Sequence, residues 1–400
     1  MHVLTEEIAN YLERASWIRR MFEAGIELKQ KFGPDNVYDF SLGNPDLPPP
    51  ESVAQGLRQL ADRANAPYAF GYMPNAGYPD TRAMLAERLS QEQGVSVQAG
   101  DVIMTCGAAG ALNSLFRAVL EAGEEVVCPA PYFVEYAFYA SNYRASLRPV
   151  PCLAPDFRLD LAAMDEAVTE KTRIVLLNSP NNPTGRVYSP EELQGLVQIL
   201  KRKQDTHKRP IFLVSDEPYR FLTYDGAEVA PILPMYEHSV VVSSFSKNLS
   251  MAGERIGYLL VNPAMGDKKE LMDGLVFTNR ILGFVNAPAI GQQVLNFALN
   301  SSVDVAAYHK RRSLMQDVLD QAGYSYAPPQ GGFYFFVQAP GGDDLAFVQS
   351  LQMERVLAVP GTGFGYPGYF RMAFCVPEDV IDKSRQSMAA ALKKAMDTAP

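Results

Sequence analysis

The sequence predicts an α/β fold in which a mostly parallel sheet is covered by helices on both faces, together with a second, smaller α+β domain. Between about residues 100 and 262, short apolar segments alternate with segments of helical periodicity. The apolar segments, such as IVLL at 174–177 and VVV at 240–242, are apolar throughout. Continuous apolar strands separated by helices are typical of a parallel sheet buried on both faces. We therefore expect the ligand site beyond the carboxyl ends of the strands.

Local signals identify the individual elements. Leu4, Ile8 and Leu12 recur at helical spacing near the N-terminus. Ser189 is a typical N-cap residue, and Pro190 with two glutamates forms a typical first turn after it. In chain order, the predicted elements are a helix at 4–15, a strand at 101–105, a helix at 108–123, a strand at 124–129, a helix at 131–142, a strand at 173–178, a helix at 189–204, strands at 211–217, 239–245 and 256–262, a long helical stretch at 287–323, and strands at 331–338, 355–361 and 369–375.

The domain boundaries are predicted from breaks in these patterns. The proline-rich stretch PDLPPP at 45–50 interrupts the chain before the alternating region begins. The long helical stretch after residue 286 ends the alternation. We therefore predict a large domain of residues 47–286, and a small domain built from residues 1–46 and 287–400.

Composition excludes several classes of function. The formal charge is 36 − 45 = −9, which argues against nucleic acid as the main partner. No apolar stretch reaches the roughly 20 residues that a membrane span needs, and the N-terminus lacks a secretory signal. The four cysteines contain no CxxC pattern, and the four histidines show no metal-ligand spacing. We expect a cytoplasmic protein with no metal, membrane or nucleic-acid partner.

Most of the predicted strands of the large domain are followed by a polar or glycine-rich signal. The segment CGAAG at 106–110 opens a helix with small residues, which leave backbone N–H groups available to an anion. NSPNNPTG at 178–185 is dense in amides and prolines. Asp216 and Tyr219 follow the next strand, and Lys247 follows another. A lysine at the end of a buried strand is costly unless it is paired or neutral, so we expect it to have a chemical role.

Taken together, these motifs resemble the class I/II aminotransferases. NSPNNPTG, the D-x-x-Y of Asp216 to Tyr219, and SSFSKNLSMAGERIG at 243–257 occur in the family's order and spacing. The resemblance extends from SLGNPD at 41–46 to YFRMAF at 369–374. It implies the aspartate aminotransferase fold, which is fold type I of the enzymes that use pyridoxal 5′-phosphate (PLP). It also implies a homodimer with shared active sites that transfers the amino group of an L-amino acid to a 2-oxo acid, such as 2-oxoglutarate or pyruvate.

The resemblance assigns the catalytic residues around the cofactor ring. Lys247 would form the internal aldimine and then move the substrate Cα proton. Asp216 would keep the pyridine nitrogen protonated, which makes the ring an electron sink. Tyr219 and Asn182 would hydrogen-bond the phenolic oxygen of the ring, and Phe133 would stack on its face.

The remaining assignments concern the phosphate and the substrate. The backbone of Ala108 and Ala109, the hydroxyl of Ser244 and the guanidinium of Arg255 would hold the cofactor phosphate. Tyr72 would reach the phosphate of the neighbouring subunit. The substrate-binding residues implied by the resemblance are Gly43, Asn182 and Arg371, with Arg371 binding the α-carboxylate.

Two alternatives remain open. A carbon–sulfur β-lyase or another elimination enzyme on the same fold would use the same core residues. An aminotransferase-like sensory domain of a transcription regulator is a third class, but it would need a DNA-binding module for which this acidic chain leaves no room. The glycine-rich segment at 363–368 satisfies G-x-G-x-x-G, yet it precedes a strand and contains a proline, so it does not predict a dinucleotide site.

The sequence also departs from one subgroup of the family. Ala109 occupies the position at which aspartate-specific members carry a lysine for the distal carboxylate. We therefore expect uncharged donors to be preferred over aspartate. The role of Arg280, in the segment FTNRILGF, is not assigned by the sequence.

Overall fold

The computed structural model describes residues 3–14, 16–207 and 209–398. Ala15, which the sequence places in the N-terminal helix, lies outside them. The chain folds into two compact units. The small unit comprises Met1–Asn44, Ala306–Pro328 and Phe333–Pro400, and the large unit comprises Pro45–Val305 and Pro329–Gly332.

The helices and strands are numbered here in chain order. The helices are α1 Glu6–Arg14, α2 Ser16–Phe32, α3 Glu51–Asp62, α4 Pro79–Gln93, α5 Gly107–Val119, α6 Glu135–Ser141, α7 Leu161–Ala167, α8 Pro190–Gln204, α9 Lys268–Ile281, α10 Ala289–Ala298, α11 Val305–Ala322, α12 Asp344–Met353, α13 Glu378–Lys383 and α14 Arg385–Thr398. The strands are β1 Tyr38–Asp39, β2 Val102–Cys106, β3 Glu125–Ala130, β4 Ser146–Pro151, β5 Thr172–Asn178, β6 Phe212–Asp216, β7 Ser239–Ser244, β8 Ile256–Val261, β9 Tyr334–Gln338, β10 Val356–Leu357, β11 Val359–Pro360 and β12 Tyr369–Ala373.

A seven-stranded sheet forms the centre of the large unit. Its strand order is β2-β8-β7-β6-β5-β3-β4, and only β8 runs antiparallel to its neighbours. The strands β5, β6, β7 and β8 are buried along their whole length, as the continuous apolar segments predict. Helices α5 and α9 pack together, and their apolar residues join the core formed by the sheet. The predicted mostly parallel α/β fold is confirmed.

The sheet contains one strand that the sequence pattern does not reveal. β4 is the edge strand beside β3, and most of its side chains are at least partly exposed. It includes Pro149 and Pro151, and a proline cannot donate a backbone hydrogen bond to a neighbouring strand. Prolines argue against a strand in sequence, but they are compatible with an edge position.

The boundary between the units differs from the predicted one. The sequence places the change at residues 286 and 287, whereas the large unit continues to Val305. The predicted helical stretch at 287–323 is divided into α10 and α11, and α10 packs against α3 and α4 of the large unit. Helical periodicity identified the segment but could not indicate which unit its apolar face would contact.

The small unit contains two short sheets. β11, β12 and β9 form an antiparallel sheet in that order, and β1 pairs in parallel with β10. The predicted strand at 355–361 is therefore two strands, because β10 and β11 pair with different partners. Within the described residues, none of the helices is both long enough and apolar enough to cross a membrane.

Candidate functional site

One asparagine connects the carboxyl end of β5 to the end of β6 and to the turn that follows β5. Asn178 lies opposite Asp216 in the sheet, and its side-chain amide donates to the Asp216 carbonyl at 2.9 Å. The Asn178 Oδ1 atom accepts a hydrogen bond from the backbone N–H of Asn182 at 2.7 Å. Asn178 therefore holds the NSPNNPTG turn beside the end of β6. Asn178 begins that motif, but its residue type and position alone predict no role for it.

Asp216 is buried, and one of its two carboxylate oxygens accepts a hydrogen bond within the protein. The Tyr136 hydroxyl donates to its Oδ2 at 2.5 Å. No hydrogen bond reaches Asp216 Oδ1 from the residues that the structure describes. Burial is the main cause that raises the pKa of Asp216 to about 7, with a smaller contribution from the charge of Glu217, although the hydrogen bond from Tyr136 lowers it. Oδ1 is therefore an unsatisfied acceptor that a bound cation or N–H donor would stabilise.

Tyr136 is a site residue that the sequence reasoning missed. It is completely buried, and its ring lies edge-on to Phe133, with centroids 5.5 Å apart and planes at 81°. The available signal was its position three residues after Phe133 in PYFVEY, about one helical turn later. Phe133 itself is half-buried, so part of its ring is open to a ligand.

A positively charged cradle forms where β2 passes into α5. Gly107 is the first residue of α5 and has φ +69°, and a Cβ atom there would lie 2.8 Å from Arg255 Nη2. The Arg255 guanidinium thus lies against the N-terminus of α5, where Ala108 and Ala109 begin the helix. Ser244, at the end of β7, pairs with Gly257 two residues after Arg255. A helix N-terminus and an arginine together favour an anion such as a phosphate.

Lys247 and Tyr219 lie on adjoining segments beyond the sheet. Lys247 is half-buried three residues after the end of β7, and Tyr219 is buried three residues after the end of β6. The Ser243 hydroxyl donates to the Glu217 carbonyl at 3.0 Å, which links the end of β7 to the segment that carries Tyr219. Glu217 in turn accepts hydrogen bonds from the Ser215 hydroxyl at 2.8 Å and from Arg220 Nε at 2.6 Å.

Tyr72 does not join this cluster within its own chain. Its side chain is 93% exposed, and Tyr68 in the same segment is 92% exposed. This exposure leaves both rings accessible to another molecule. Arg280, on α9, is also exposed.

Arg371 occupies a rigid setting in the small unit. Its guanidinium carbon lies 4.6 Å from the centre of the Tyr334 ring and 4.8 Å from that of Phe364. Its Nη2 donates to the Ser41 carbonyl at 2.7 Å. The nearby Gly43 is tightly restricted, because a Cβ atom there would lie 1.9 Å from the Tyr334 hydroxyl oxygen. The two cation–π contacts and the hydrogen bond to Ser41 restrain the Arg371 guanidinium.

These features define a class of protein. The cluster in the large unit combines a buried carboxylate with an open oxygen, a partly exposed aromatic ring, a lysine and an anion cradle. That donor set fits a phosphorylated heteroaromatic cofactor with a basic ring nitrogen and an electrophilic carbon, which describes PLP.

Comparison with known proteins identifies the family. A family model described as aminotransferase class I and II matches residues 35–387. The chain therefore belongs to the class I and II aminotransferases, a family of PLP-dependent enzymes, and it is an aminotransferase.

Individual relatives agree with this assignment. A probable aspartate/prephenate aminotransferase from Thermus aquaticus is 32% identical, with 92% of this chain and 94% of that protein covered. An aminotransferase structure from Eubacterium rectale is 38% identical with a TM-score of 0.94, and covers 98% of this chain and 99% of that chain. An aspartate aminotransferase structure from Thermus thermophilus with maleate is 28% identical with a TM-score of 0.83, and covers 93% and 95% of the two chains. The chain has the aspartate aminotransferase fold, as the sequence motifs predict.

Proposed function

We propose that this aminotransferase binds PLP at the cluster around Asp216 and Lys247, and transfers the amino group of an L-amino acid to a 2-oxo acid. The observation that carries the proposal is the open Oδ1 of Asp216, a buried carboxylate oxygen that needs a partner. When bound, PLP supplies a protonated pyridine ring that accepts the negative charge developing at the substrate Cα.

Several residues would orient the ring. Asp216 Oδ1 accepts a hydrogen bond from the ring nitrogen and keeps that nitrogen protonated. Asn182 and Tyr219 donate to the phenolic oxygen, and Phe133 covers one face of the ring. The hydrogen bonds of Asn178 support this arrangement, because they hold the Asn182 backbone beside the end of β6.

The phosphate would be held by the cradle at the N-terminus of α5. The backbone N–H groups of Ala108 and Ala109 and the hydroxyl of Ser244 donate to its oxygens. Arg255 adds a charge-assisted hydrogen bond to the same group. This end of the cofactor is therefore anchored by fixed backbone as well as by flexible side chains.

Lys247 would carry the proton-transfer step. Its Nζ atom would hold the cofactor by a covalent bond and, as a free amine, would move a proton away from the substrate Cα. Arg371 binds the α-carboxylate that all donors and acceptors share, with help from Asn182 and the Gly43 backbone. The planar guanidinium of Arg371 suits two parallel hydrogen bonds to a carboxylate.

The test uses the covalent attachment. Reduction of the PLP-loaded protein with borohydride should fix the cofactor to a peptide that contains Lys247, and Lys247→Ala should abolish this label and nearly all transamination. Lys269→Ala, a change at an exposed lysine of α9, is the matched control and should behave as the wild type. Wild-type turnover by Lys247→Ala, or labelling at another lysine, would refute the proposed site.

The enzyme is also proposed to be a homodimer with shared active sites. The exposed Tyr72 of one subunit would donate to the phosphate bound in the other subunit. Inactive Lys247→Ala and Tyr72→Ala proteins, refolded together, should recover roughly a quarter of the wild-type activity, since half of the dimers are hybrids with one intact site. Demonstrated hybrids without recovered activity would contradict this role for Tyr72.

Donor selectivity is the final part of the proposal. Several relatives are named as aspartate or aspartate/prephenate aminotransferases. In this chain the position expected to carry a cation for the distal carboxylate is Ala109. A desolvated carboxylate without a cation is costly, so we propose that uncharged donors such as alanine, methionine, leucine or aromatic amino acids are preferred over aspartate. The scattered cysteines are consistent with the proposed cytoplasmic location.

A further inference from the structure

Tyr136 makes a short hydrogen bond to a carboxylate in a fully buried environment. The residue belongs to α6, which packs against β4 and α5. Its hydroxyl is 2.5 Å from Asp216 Oδ2, within the range of a hydrogen bond between a hydroxyl and a charged carboxylate. The edge-on contact with Phe133 fixes the direction of the Tyr136 ring. Both partners are thus held without help from solvent.

Two features of the Asp216 environment disfavour the ionised carboxylate. Burial and the neighbouring Glu217 both raise the pKa of Asp216. Burial raises the pKa values of the Cys128 thiol and the Tyr139 hydroxyl, and the charge of Asp216 contributes to both shifts. The hydrogen bond from Tyr136 acts in the opposite direction and favours the ionised carboxylate.

We propose that Tyr136 is a positioning residue that keeps Asp216 ionised and oriented, with Oδ2 occupied and Oδ1 reserved for the ring nitrogen of the cofactor. This inference rests on the proposed function, because it assigns Oδ1 to PLP. A neutral donor suits the task. A lysine or arginine in place of Tyr136 would neutralise the carboxylate and compete with the ring nitrogen for it.

The chemical consequence concerns one proton. Without the Tyr136 hydroxyl, the buried Asp216 carboxylate would have a higher pKa. It would therefore compete more strongly with the ring nitrogen for the proton between them. The ring nitrogen then spends more time unprotonated, and the ring becomes a weaker electron acceptor. The effect should therefore appear in the state of the bound cofactor, and should lower kcat more than it raises the KM for the amino donor.

The direct test is Tyr136→Phe, which removes a single oxygen atom and keeps the ring. Titration of the apoprotein with PLP should give a Kd about tenfold higher than that of the wild type, as expected when a hydrogen bond to a charged group is lost. The ¹⁵N resonance of PLP labelled at the ring nitrogen should move from the protonated toward the unprotonated position. Tyr143→Phe is the matched control and should change neither quantity, because the Tyr143 hydroxyl, two residues after the end of α6, donates to Asn113 Oδ1 and not to Asp216.

Two results would overturn the inference. The first is a ring-nitrogen resonance that stays at the protonated position in Tyr136→Phe. The second is a Kd within twofold of the wild-type value. Borohydride labelling of Lys247 in the same preparation separates the possibilities: successful labelling with an unchanged resonance refutes only the role of Tyr136, whereas absent labelling refutes the proposed cofactor site.

A variant that does not fold is also informative when combined with a second one. Tyr136→Phe together with Asp216→Asn removes both the donor and the charge, so it leaves no unpaired buried carboxylate. If the single variant is unfolded and the double variant folds, the hydroxyl is needed for the Asp216 charge, as proposed. If both are unfolded, Tyr136 serves core packing and the inference fails.

Discussion

Phe364 makes a cation–π contact with the Arg371 guanidinium, so Phe364→Leu should weaken the binding of every substrate by the same factor. The replacement keeps an apolar side chain but removes the aromatic ring whose centre lies 4.8 Å from the guanidinium carbon. The Tyr334 ring still contacts the guanidinium, with its centre 4.6 Å from the guanidinium carbon, and the Ser41 carbonyl still accepts from Nη2. The guanidinium should therefore remain in place with more freedom to tilt.

The expected size follows from the burial of Arg371. Its side chain belongs to a residue that is only 9% exposed, so the cation–π contact is largely desolvated. Such a contact contributes about 1–2 kcal/mol, which corresponds to roughly a 5- to 30-fold loss in kcat/KM. Because all amino donors and oxo acids carry the same α-carboxylate, the factor should be common to all of them.

The assay is kcat/KM for alanine, methionine and phenylalanine as donors, and for 2-oxoglutarate and pyruvate as acceptors. Tyr369→Leu is the matched control, since Tyr369 is an aromatic residue of the same unit that stacks on Phe336, with centroids 5.2 Å apart. It should leave the kcat/KM values near those of the wild type. A loss confined to one donor, or an equal loss in Tyr369→Leu, would refute the assigned role of Phe364.

Three further predictions concern stability, pH and selectivity. Arg220→Met leaves the buried Glu217 carboxylate without its ion-pair partner and should reduce the free energy of unfolding by about 3–5 kcal/mol in urea titrations. Arg58→Met, at an exposed ion pair, should reduce it by no more than about 1 kcal/mol. Equal losses in the two variants would contradict this account. Burial raises the pKa of Asp216 to about 7, so the stability that its protonated form provides to the apoprotein is complete below pH 4 and is lost as the pH rises through 7. The Tm of the wild-type apoprotein should therefore fall more between pH 5 and pH 8 than that of Asp216→Asn, and parallel curves would refute the shift. The kcat/KM for aspartate should be lower than for uncharged donors in both wild type and Arg280→Ala; a strong aspartate preference abolished by Arg280→Ala would instead make Arg280 the distal-carboxylate ligand.

The sequence by itself determined the family and the main sheet. The features that predict them are local: continuous apolar strands, helix caps, and the ordered motifs around Asn182, Asp216 and Lys247. Such features can be recognised without knowing which segments contact each other in the fold. The predicted fold and the aminotransferase assignment are confirmed on that basis. The individual roles given to the site residues remain predictions that the experiments above would test.

The glycine-rich segment at 363–368 illustrates how context changes the meaning of a motif. It matches a dinucleotide-binding pattern, but the strand that follows it and the proline that it contains exclude that function. In the structure its first two residues end a short 3-10 helix, Gly361–Phe364, and the Phe364 ring contacts Arg371. The sequence could reject the wrong role, but it contained no local signal for the contact with Arg371.

Only the tertiary structure decided which residues are partners. Tyr136 and Asp216 are 80 residues apart, and they meet because β3, which precedes α6, lies two strands from β6 in the sheet. The packing of α10 on α3 and the edge position of β4 depend in the same way on strand order and on the face that each helix covers. Periodicity in a sequence reports that a face is buried, whereas the identity of the surface that buries it is set by contacts between distant segments.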